Sequence, residues 1–230
     1  MYCHHCGNQV SSGGSFCTSC GTPYSAAFAP AAVVPWTPPA GIQTYTGRWI
    51  GEGWRLVTSD LGTFFLMALV YAFLTSAVPV IIQGPLSIGF HMFCAKKLLG
   101  RRAEFADLFK GFDFFIPSLV ASLLVSILVS VGLVFFLIPG LVLAAMYQFV
   151  SLFIFDKRMD FWPAMQASHA VVKNDYVGFC LFVLALIGIN VLGFLCLVVG
   201  IFVTIPLSFA AVTVAYRDLV GFEPQTLASL

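Results

Sequence analysis

Four cysteines near the N-terminus have the type and spacing of a metal site. Cys3 and Cys6 form one Cys-x2-Cys pair, Cys17 and Cys20 form a second, and ten residues separate the pairs. Four thiolates at this spacing can converge on one tetrahedral Zn²⁺ ion. A closed four-thiolate set leaves no open position for water. The pattern therefore predicts a structural zinc site and not a catalytic one.

The residues around the cysteines support this prediction and leave alternatives open. Gly7 and Gly21 directly follow the two pairs and allow the backbone to turn so that its amides face the sulfurs. The same cysteines also fit a redox dithiol or two disulfides, and disulfides would need an oxidising compartment. His4 or His5, inside the first pair, could replace one thiolate as a ligand.

Residues 1–22 resemble the short zinc ribbons found at the N-termini of many bacterial membrane and regulatory proteins. Residues 1–47 contain no Lys, Arg, Asp or Glu, and four thiolates on Zn²⁺ leave a formal charge of about −2. Because phosphate binding depends on Lys and Arg, we expect no nucleic-acid partner. The ribbon is expected to contact a protein.

The composition is that of an integral membrane protein. Hydrophobic residues make up 60% of the 230 residues, and charged residues make up 9%, against about 25% in a typical soluble domain. The N-terminus lacks the basic and apolar regions of a secretory signal. We therefore expect internal segments to direct membrane insertion.

Three long blocks, residues 61–95, 114–155 and 176–216, contain no Asp, Glu, Lys or Arg. Each block is about twice the roughly 20 residues that one membrane-spanning helix needs, and each has Gly or Pro near its middle. The blocks predict an all-α fold of about six transmembrane helices in three hairpins, within residues 61–220. The arms of the first block are short, so one of them is a candidate re-entrant segment.

Hairpins return the chain to one side, and the basic segment 96–113 indicates which side that is. It carries Lys and Arg at positions 96, 97, 101, 102 and 110. The positive-inside rule places such a segment in the cytoplasm. Both termini, including the tail 221–230, are then cytoplasmic, and the expected location is the bacterial inner membrane.

Between the ribbon and the first block lies a tether. Residues 23–46 are rich in Pro and Ala, a composition that opposes regular helix. Residues 47–60 predict a helix at the membrane interface, with Trp49, Trp54 and Val57 on its apolar face. The tether would allow the ribbon to reach away from the bilayer.

An internal repeat supports the hairpins. Residues 85–100, PLSIGFHMFCAKKLLG, align without gaps to residues 206–221, PLSFAAVTVAYRDLVG, although chance similarity between apolar segments stays an alternative. A shorter similarity links EFADLF, residues 104–109, to DFWPAM, residues 160–165.

The segment IPGLVLAAMYQFVSLFIFD, followed by FWPAMQASHAVVKND, resembles a broad group of bacterial six-helix membrane proteins. That group includes the membrane domain attached to some glycerophosphodiester phosphodiesterases. The resemblance covers roughly residues 60–220. It implies an accessory membrane domain without chemistry of its own.

No catalytic constellation stands out among the remaining polar residues. His91 is expected at the interface and His169 on the surface, while Gln148 and Asn190 are expected to join helices through hydrogen bonds. Asp156, Asp160 and Asp175 alternate with basic residues and suggest a solvated rim. Cys94, Cys180 and Cys196 lie in apolar runs, where free cysteine behaves as a small hydrophobic residue.

These observations favour a non-enzymatic scaffold, accessory or regulatory protein that binds a partner through its ribbon. The alternative is a transporter or channel for an uncharged or lipidic substrate, which internal repeats allow. A membrane enzyme is a third possibility, and it would need polar residues such as His91 and Gln83 to converge.

Overall fold

The computed structural model describes residues 19–20, 36–39, 41–78, 81–135, 137–196 and 200–229. The chain divides into two compact units, Met1–Trp36 and Thr37–Leu230. Most of the predicted ribbon and tether lies outside the described residues. Of the four predicted zinc ligands only Cys20 is described, as an exposed residue. The zinc site stays a prediction.

The second unit is helical, and its described residues contain no strand. A single 3-10 turn, Gly111–Phe114, joins the fourth helix to the fifth. The helices are α1 Thr46–Thr58, α2 Leu61–Ala77, α3 Gln83–Leu98, α4 Asp107–Lys110, α5 Phe115–Phe135, α6 Leu137–Tyr147, α7 Val150–Lys157, α8 Phe161–Val172, α9 Tyr176–Leu195, α10 Ile201–Leu219 and α11 Pro224–Ser229.

Several of these helices are long and apolar enough to cross a membrane, as the composition predicts. Four described stretches qualify: Phe105–Val134, Ile138–Lys157, Tyr176–Leu195 and Ile201–Leu219. A fifth is possible if α1 and α2, which meet at a bend of 99°, count as one broken span or re-entrant segment. The all-helical class is confirmed for the described residues, and their four or five candidate spans are fewer than the six predicted.

The first charge-free block accounts for the difference. Its two helices, α2 and α3, have 17 and 16 residues, fewer than the roughly 20 that a span requires. Most of α3 is buried inside the unit. A segment without charged residues can therefore be a buried helix or a membrane span, because both environments disfavour charge.

Two glycines allow the chain to fold back closely along α3. A Cβ atom added to Gly89 would overlap the Leu108 carbonyl oxygen and lie 2.5 Å from its carbonyl carbon. A Cβ added to Gly111 would overlap the Pro85 oxygen and lie 2.6 Å from the Gly89 nitrogen. Helix α4 and the 3-10 turn therefore touch α3 backbone to backbone.

The internal repeat corresponds to two neighbouring helices, α3 and α10. Each repeat ends at a glycine in the left-handed region, Gly100 with φ of 67° and Gly221 with φ of 75°. The helices meet where the Phe90 and Phe209 rings stack with centroids 4.5 Å apart. Similar sequence thus produces similar helix ends at two adjacent positions.

Helix α1 forms as predicted but packs differently. Trp49 is fully buried, with its ring 5.2 Å from Phe182, and its Nε1 donates to Asp218 at 3.1 Å. Trp54, predicted on the same face, is 48% exposed. The prediction that both tryptophans share one interfacial face is wrong. The face of α1 that carries Trp49 packs against α9 and α10.

Three of the shorter helices, α1, α4 and α8, each pack against another helix of the unit. Helix α4 packs against α3, α8 packs against α7, and α1 packs against α10. Helix α1 is the first helix of the unit, and it packs against α10, the last long helix. Helices α3, α7 and α10 surround a common space.

Candidate functional site

A cavity of about 300 Å³ lies among α2, α3, α5, α6, α7 and α10. Its lining includes no Asp, Glu, Lys or Arg among the residues that the structure describes. Most of the lining surface is apolar, but many of the lining residues carry a hydrogen-bonding group. The polar lining residues are Tyr71, Gln83, Ser87, His91, Ser118, Ser122, Ser126, Tyr147, Gln148, Ser151 and Ser208. This cavity, with hydrogen-bonding groups among apolar helices, is the best candidate for a functional site.

Two helices contribute polar stripes at helical spacing. Residues four apart lie on one helix face, so each stripe points in one direction. The stripes are Gln83, Ser87 and His91 on α3, and Ser118, Ser122 and Ser126 on α5. This periodicity was visible in the sequence, within blocks that are otherwise apolar.

Several of the serines already use their single proton within their own helix. The Ser87 hydroxyl donates to the Gly84 carbonyl oxygen at 2.7 Å, and the Ser118 hydroxyl donates to the Phe115 carbonyl oxygen at 3.0 Å. A hydroxyl that donates in this way keeps lone pairs to accept further hydrogen bonds. These serines therefore offer acceptors to a molecule in the cavity.

His91 is held by α10 in a defined tautomer. The Thr213 hydroxyl donates to the Phe209 carbonyl oxygen at 2.7 Å, and its oxygen lies 2.9 Å from His91 Nδ1. Because the hydroxyl has one proton, it accepts from Nδ1–H, and His91 Nε2 is left as an acceptor. His91 is 4% exposed. The sequence, which places His91 at the membrane interface, did not predict this burial under α10.

Gln148 stands out among the lining residues. Its Nε2 and Oε1 are both buried and have no hydrogen-bond partner among the described residues. It lies in the break between α6 and α7, where the Ser168 hydroxyl donates to the Met146 carbonyl oxygen at 2.6 Å. The prediction that Gln148 joins two helices is wrong. Its amide instead offers two donors and one acceptor.

Asn190 behaves as predicted. Its Nδ2 donates to the Ser208 hydroxyl at 2.7 Å and so joins α9 to α10. Asn190 Oδ1 is buried without a partner among the described residues. Because Ser208 lines the cavity, this pair extends the polar environment toward α9.

A buried amide without a partner has an energetic cost. Leaving buried donors and acceptors unpaired costs about 1–3 kcal/mol, and native proteins satisfy such groups with protein, water or ligand. Gln148 is among the lining residues of the cavity, so a rotation of its side chain would bring the buried amide to a partner there. The arrangement thus suits an uncharged molecule that both donates and accepts hydrogen bonds.

We expect Gln148→Leu to raise the free energy of unfolding of ligand-free protein by about 1–3 kcal/mol, because it removes an unpaired buried amide. Thermal unfolding in detergent measures the change. Gln166→Leu, at an exposed position on α8, is the matched control and should stay within about 0.5 kcal/mol. A lower free energy of unfolding for Gln148→Leu than for the wild type would show that the Gln148 amide has a hydrogen-bond partner.

The acidic residues predicted to form a rim have separate roles. Asp156 is buried and accepts hydrogen bonds from the Tyr216 hydroxyl and the Glu223 amide, each at 2.9 Å. The solvated-rim prediction is wrong for Asp156, because the C-terminal segment covers it. Asp160 caps α8 through the Phe161 amide at 2.8 Å.

Asp175 caps α9 and also secures the segment that leads into α1. It accepts from the Thr44 hydroxyl at 2.7 Å and from the Gly178 amide at 3.0 Å. The Thr44 hydroxyl and the two backbone amides lower the pKa of Asp175, against the opposing effect of its partial burial. Because this contact attaches Thr44 to the start of α9, the predicted tether is shorter than residues 23–46.

The described residues contain no group of three or more His, Cys, Asp or Glu side chains that could hold a metal ion. Cys94 is buried in α3, whereas Cys180 lies in α9 and Cys196 follows the C-terminal end of α9. No protein-family model, curated protein or solved structure matches the chain. The resemblances to zinc ribbons and to the membrane domain of glycerophosphodiester phosphodiesterases stay predictions.

Proposed function

We propose that this chain is a multi-pass membrane protein that binds an uncharged, hydrogen-bonding molecule and transports or conducts it. The molecule is a small polar solute or the uncharged polar part of a lipid. The observation that carries the proposal is a cavity without charged residues whose lining includes Gln148, a residue with a buried and unpaired amide. The proposal assigns the chain no reaction.

The lining argues against an ionic substrate. Burying an ion without a counter-charge is costly, and proteins that move ions usually place charged side chains along the path. Here Gln148, His91 Nε2 and the serine hydroxyls supply neutral hydrogen-bonding groups. A volume of about 300 Å³ is at the lower end for ligand pockets, which favours a small substrate.

The orientation is part of the proposal. The basic segment 96–113 supports a cytoplasmic location for its own side of the membrane. The inner membrane of a bacterium, with both termini in the cytoplasm, fits that assignment. Reversing it would leave the cytoplasmic side without this positive segment.

Proteoliposomes test the transport proposal. Swelling in glycerol, urea and small polyols is compared with swelling in sodium chloride, and a fluorescent neutral lipid tests transfer between leaflets. We expect wild-type protein and Gln166→Leu to accelerate at least one neutral probe, and Gln148→Leu to lose most of that acceleration. Equal rates in protein-containing and empty liposomes for every probe would overturn the proposal.

The second candidate is an accessory, scaffold or regulatory role for the N-terminal segment. It rests on the cysteine spacing, which supports a structural Zn²⁺ ion, and on the absence of charge from residues 1–47. The partner would be a protein and not a nucleic acid. Both roles can coexist, because the ribbon is tethered to the membrane domain.

We expect purified full-length protein to contain about one zinc ion per chain, because four thiolates complete one site. Replacing Cys3 and Cys6 together by Ser should remove the zinc and the proteins captured from intact membranes. Elemental analysis and quantitative pull-down measure the two effects. Cys196→Ser is the control, and unchanged zinc and partners in the double variant would refute the ribbon.

A further inference from the structure

Arg101 and Arg102 differ from the lysines around them. Lys96 and Lys110 both bind Asp107, with Nζ atoms 2.7 Å and 2.6 Å from its Oδ1. Within the described residues, Arg101 and Arg102 make no ion pair, and both are exposed. These two guanidinium groups lie in the stretch between α3 and α4.

A strip of aromatic rings begins directly after the arginines. Its rings are those of Phe105, Phe109, Phe112 and Phe115, and consecutive centroids are 6.1, 6.5 and 6.2 Å apart. Phe109 is 44% exposed and Phe112 is 37% exposed. The phenylalanine strip leads to Ile116, which is 72% exposed on α5. One apolar surface thus continues from the arginines onto a membrane-length helix.

We propose that Arg101, Arg102 and the phenylalanine strip bind an anionic phospholipid. The guanidinium groups hold the phosphate, and the acyl chains lie along the strip and the outer face of α5. Arginine suits this role because its planar donors match phosphate oxygens bidentately. The site is separate from the cavity and does not depend on a transport function.

The charges of the segment favour an anionic lipid over a neutral one. Residues 96–113 carry five basic and three acidic side chains. Asp107 is occupied by two lysines, and Glu104 and Asp113 are the remaining acidic residues of the segment. A free phosphate would satisfy the arginines but would leave the adjoining strip uncovered. An anionic lipid matches both the charge of the arginines and the apolar surface of the strip.

Native mass spectrometry of the full-length protein in detergent tests the site, with short-chain phosphatidylglycerol and phosphatidylcholine as probes. The variant Arg101→Gln/Arg102→Gln should weaken phosphatidylglycerol binding about tenfold or more, since each basic residue near anionic lipid contributes about a factor of five. The control Arg55→Gln/Lys173→Gln removes two exposed cations elsewhere and should bind as the wild type does.

A second variant separates a lipid from a simple anion. Phe109→Ser/Phe112→Ser should weaken phosphatidylglycerol binding while leaving inorganic phosphate binding unchanged. Thermal unfolding without lipid confirms that each variant is folded. The proposal would be overturned if the arginine variant bound phosphatidylglycerol as well as the wild type does. It would also be overturned if inorganic phosphate competed with phosphatidylglycerol equally well in the wild type and in the phenylalanine variant.

Discussion

Gly89→Ala should prevent normal folding of the Thr37–Leu230 unit. The added Cβ would overlap the Leu108 carbonyl oxygen and lie 2.9 Å from the Leu108 Cα. These are backbone atoms, so no side-chain rotation can relieve the clash. Overpacking in a core costs about 1–3 kcal/mol, and we expect the upper end of that range or more here. Detergent-purified yield and unfolding temperature measure the loss.

Gly188→Ala is the matched control, because it makes the same change within a helix. No heavy atom lies within 4 Å of the added Cβ at Gly188 in α9. Alanine favours helix over glycine by about 0.5–1 kcal/mol, so this variant should be as stable as wild type or slightly more stable. Equal unfolding temperatures for the two variants would show that α4 does not pack closely on α3.

Asp107→Asn should have the second large effect, a loss of about 3–5 kcal/mol in the free energy of unfolding. The Asp107 side chain is 0% exposed, and its partner Lys96 is 7% exposed. Asp107 also accepts a hydrogen bond from the Glu104 amide at 2.9 Å. Removing its charge leaves the buried Lys96 ammonium group without a counter-ion. Chemical unfolding monitored by tryptophan fluorescence measures the loss.

The two lysines that bind Asp107 predict which substitution destabilises the protein most. Lys96→Met should cost less than Asp107→Asn, because Lys110 still neutralises the carboxylate at 2.6 Å. Lys97→Met is the control at a more accessible ion pair. Its pair with Asp60 is partly exposed, so we expect a loss of about 0–1 kcal/mol. A larger loss for either lysine variant than for Asp107→Asn would contradict this ionic arrangement.

Asp107 and Gly89 also explain why the first charge-free block provides fewer candidate spans than the other two blocks. In the sequence, residues 61–95 resemble the other charge-free blocks, so they predict a hairpin of two spans, with one short arm as a candidate re-entrant segment. The structure buries α3 against the segment after residue 104, through contacts that involve Gly89, Gly111 and the Lys96–Asp107 pair. Hydropathy shows only that a segment avoids water. It does not show whether the segment faces lipid or is buried within the protein.

The cavity shows the same division between local and tertiary information. The serine spacing on α5 and the polar positions on α3 are visible in the sequence. That the stripes face one space depends on how α3, α7 and α10 pack. The unpaired state of Gln148 and the tautomer of His91 depend on atoms far away in the chain, such as the Thr213 hydroxyl.

The sequence by itself determined the helical class and the apolar helices of membrane length. Each of these depends on residues close together in the chain, so local composition and spacing suffice. Only the tertiary structure decided that α3 is buried, that α1 packs against α10 and that Gln148 has no partner. Those outcomes depend on long-range packing, which fills space and satisfies polar atoms across the fold, and single-chain periodicity carries no record of it.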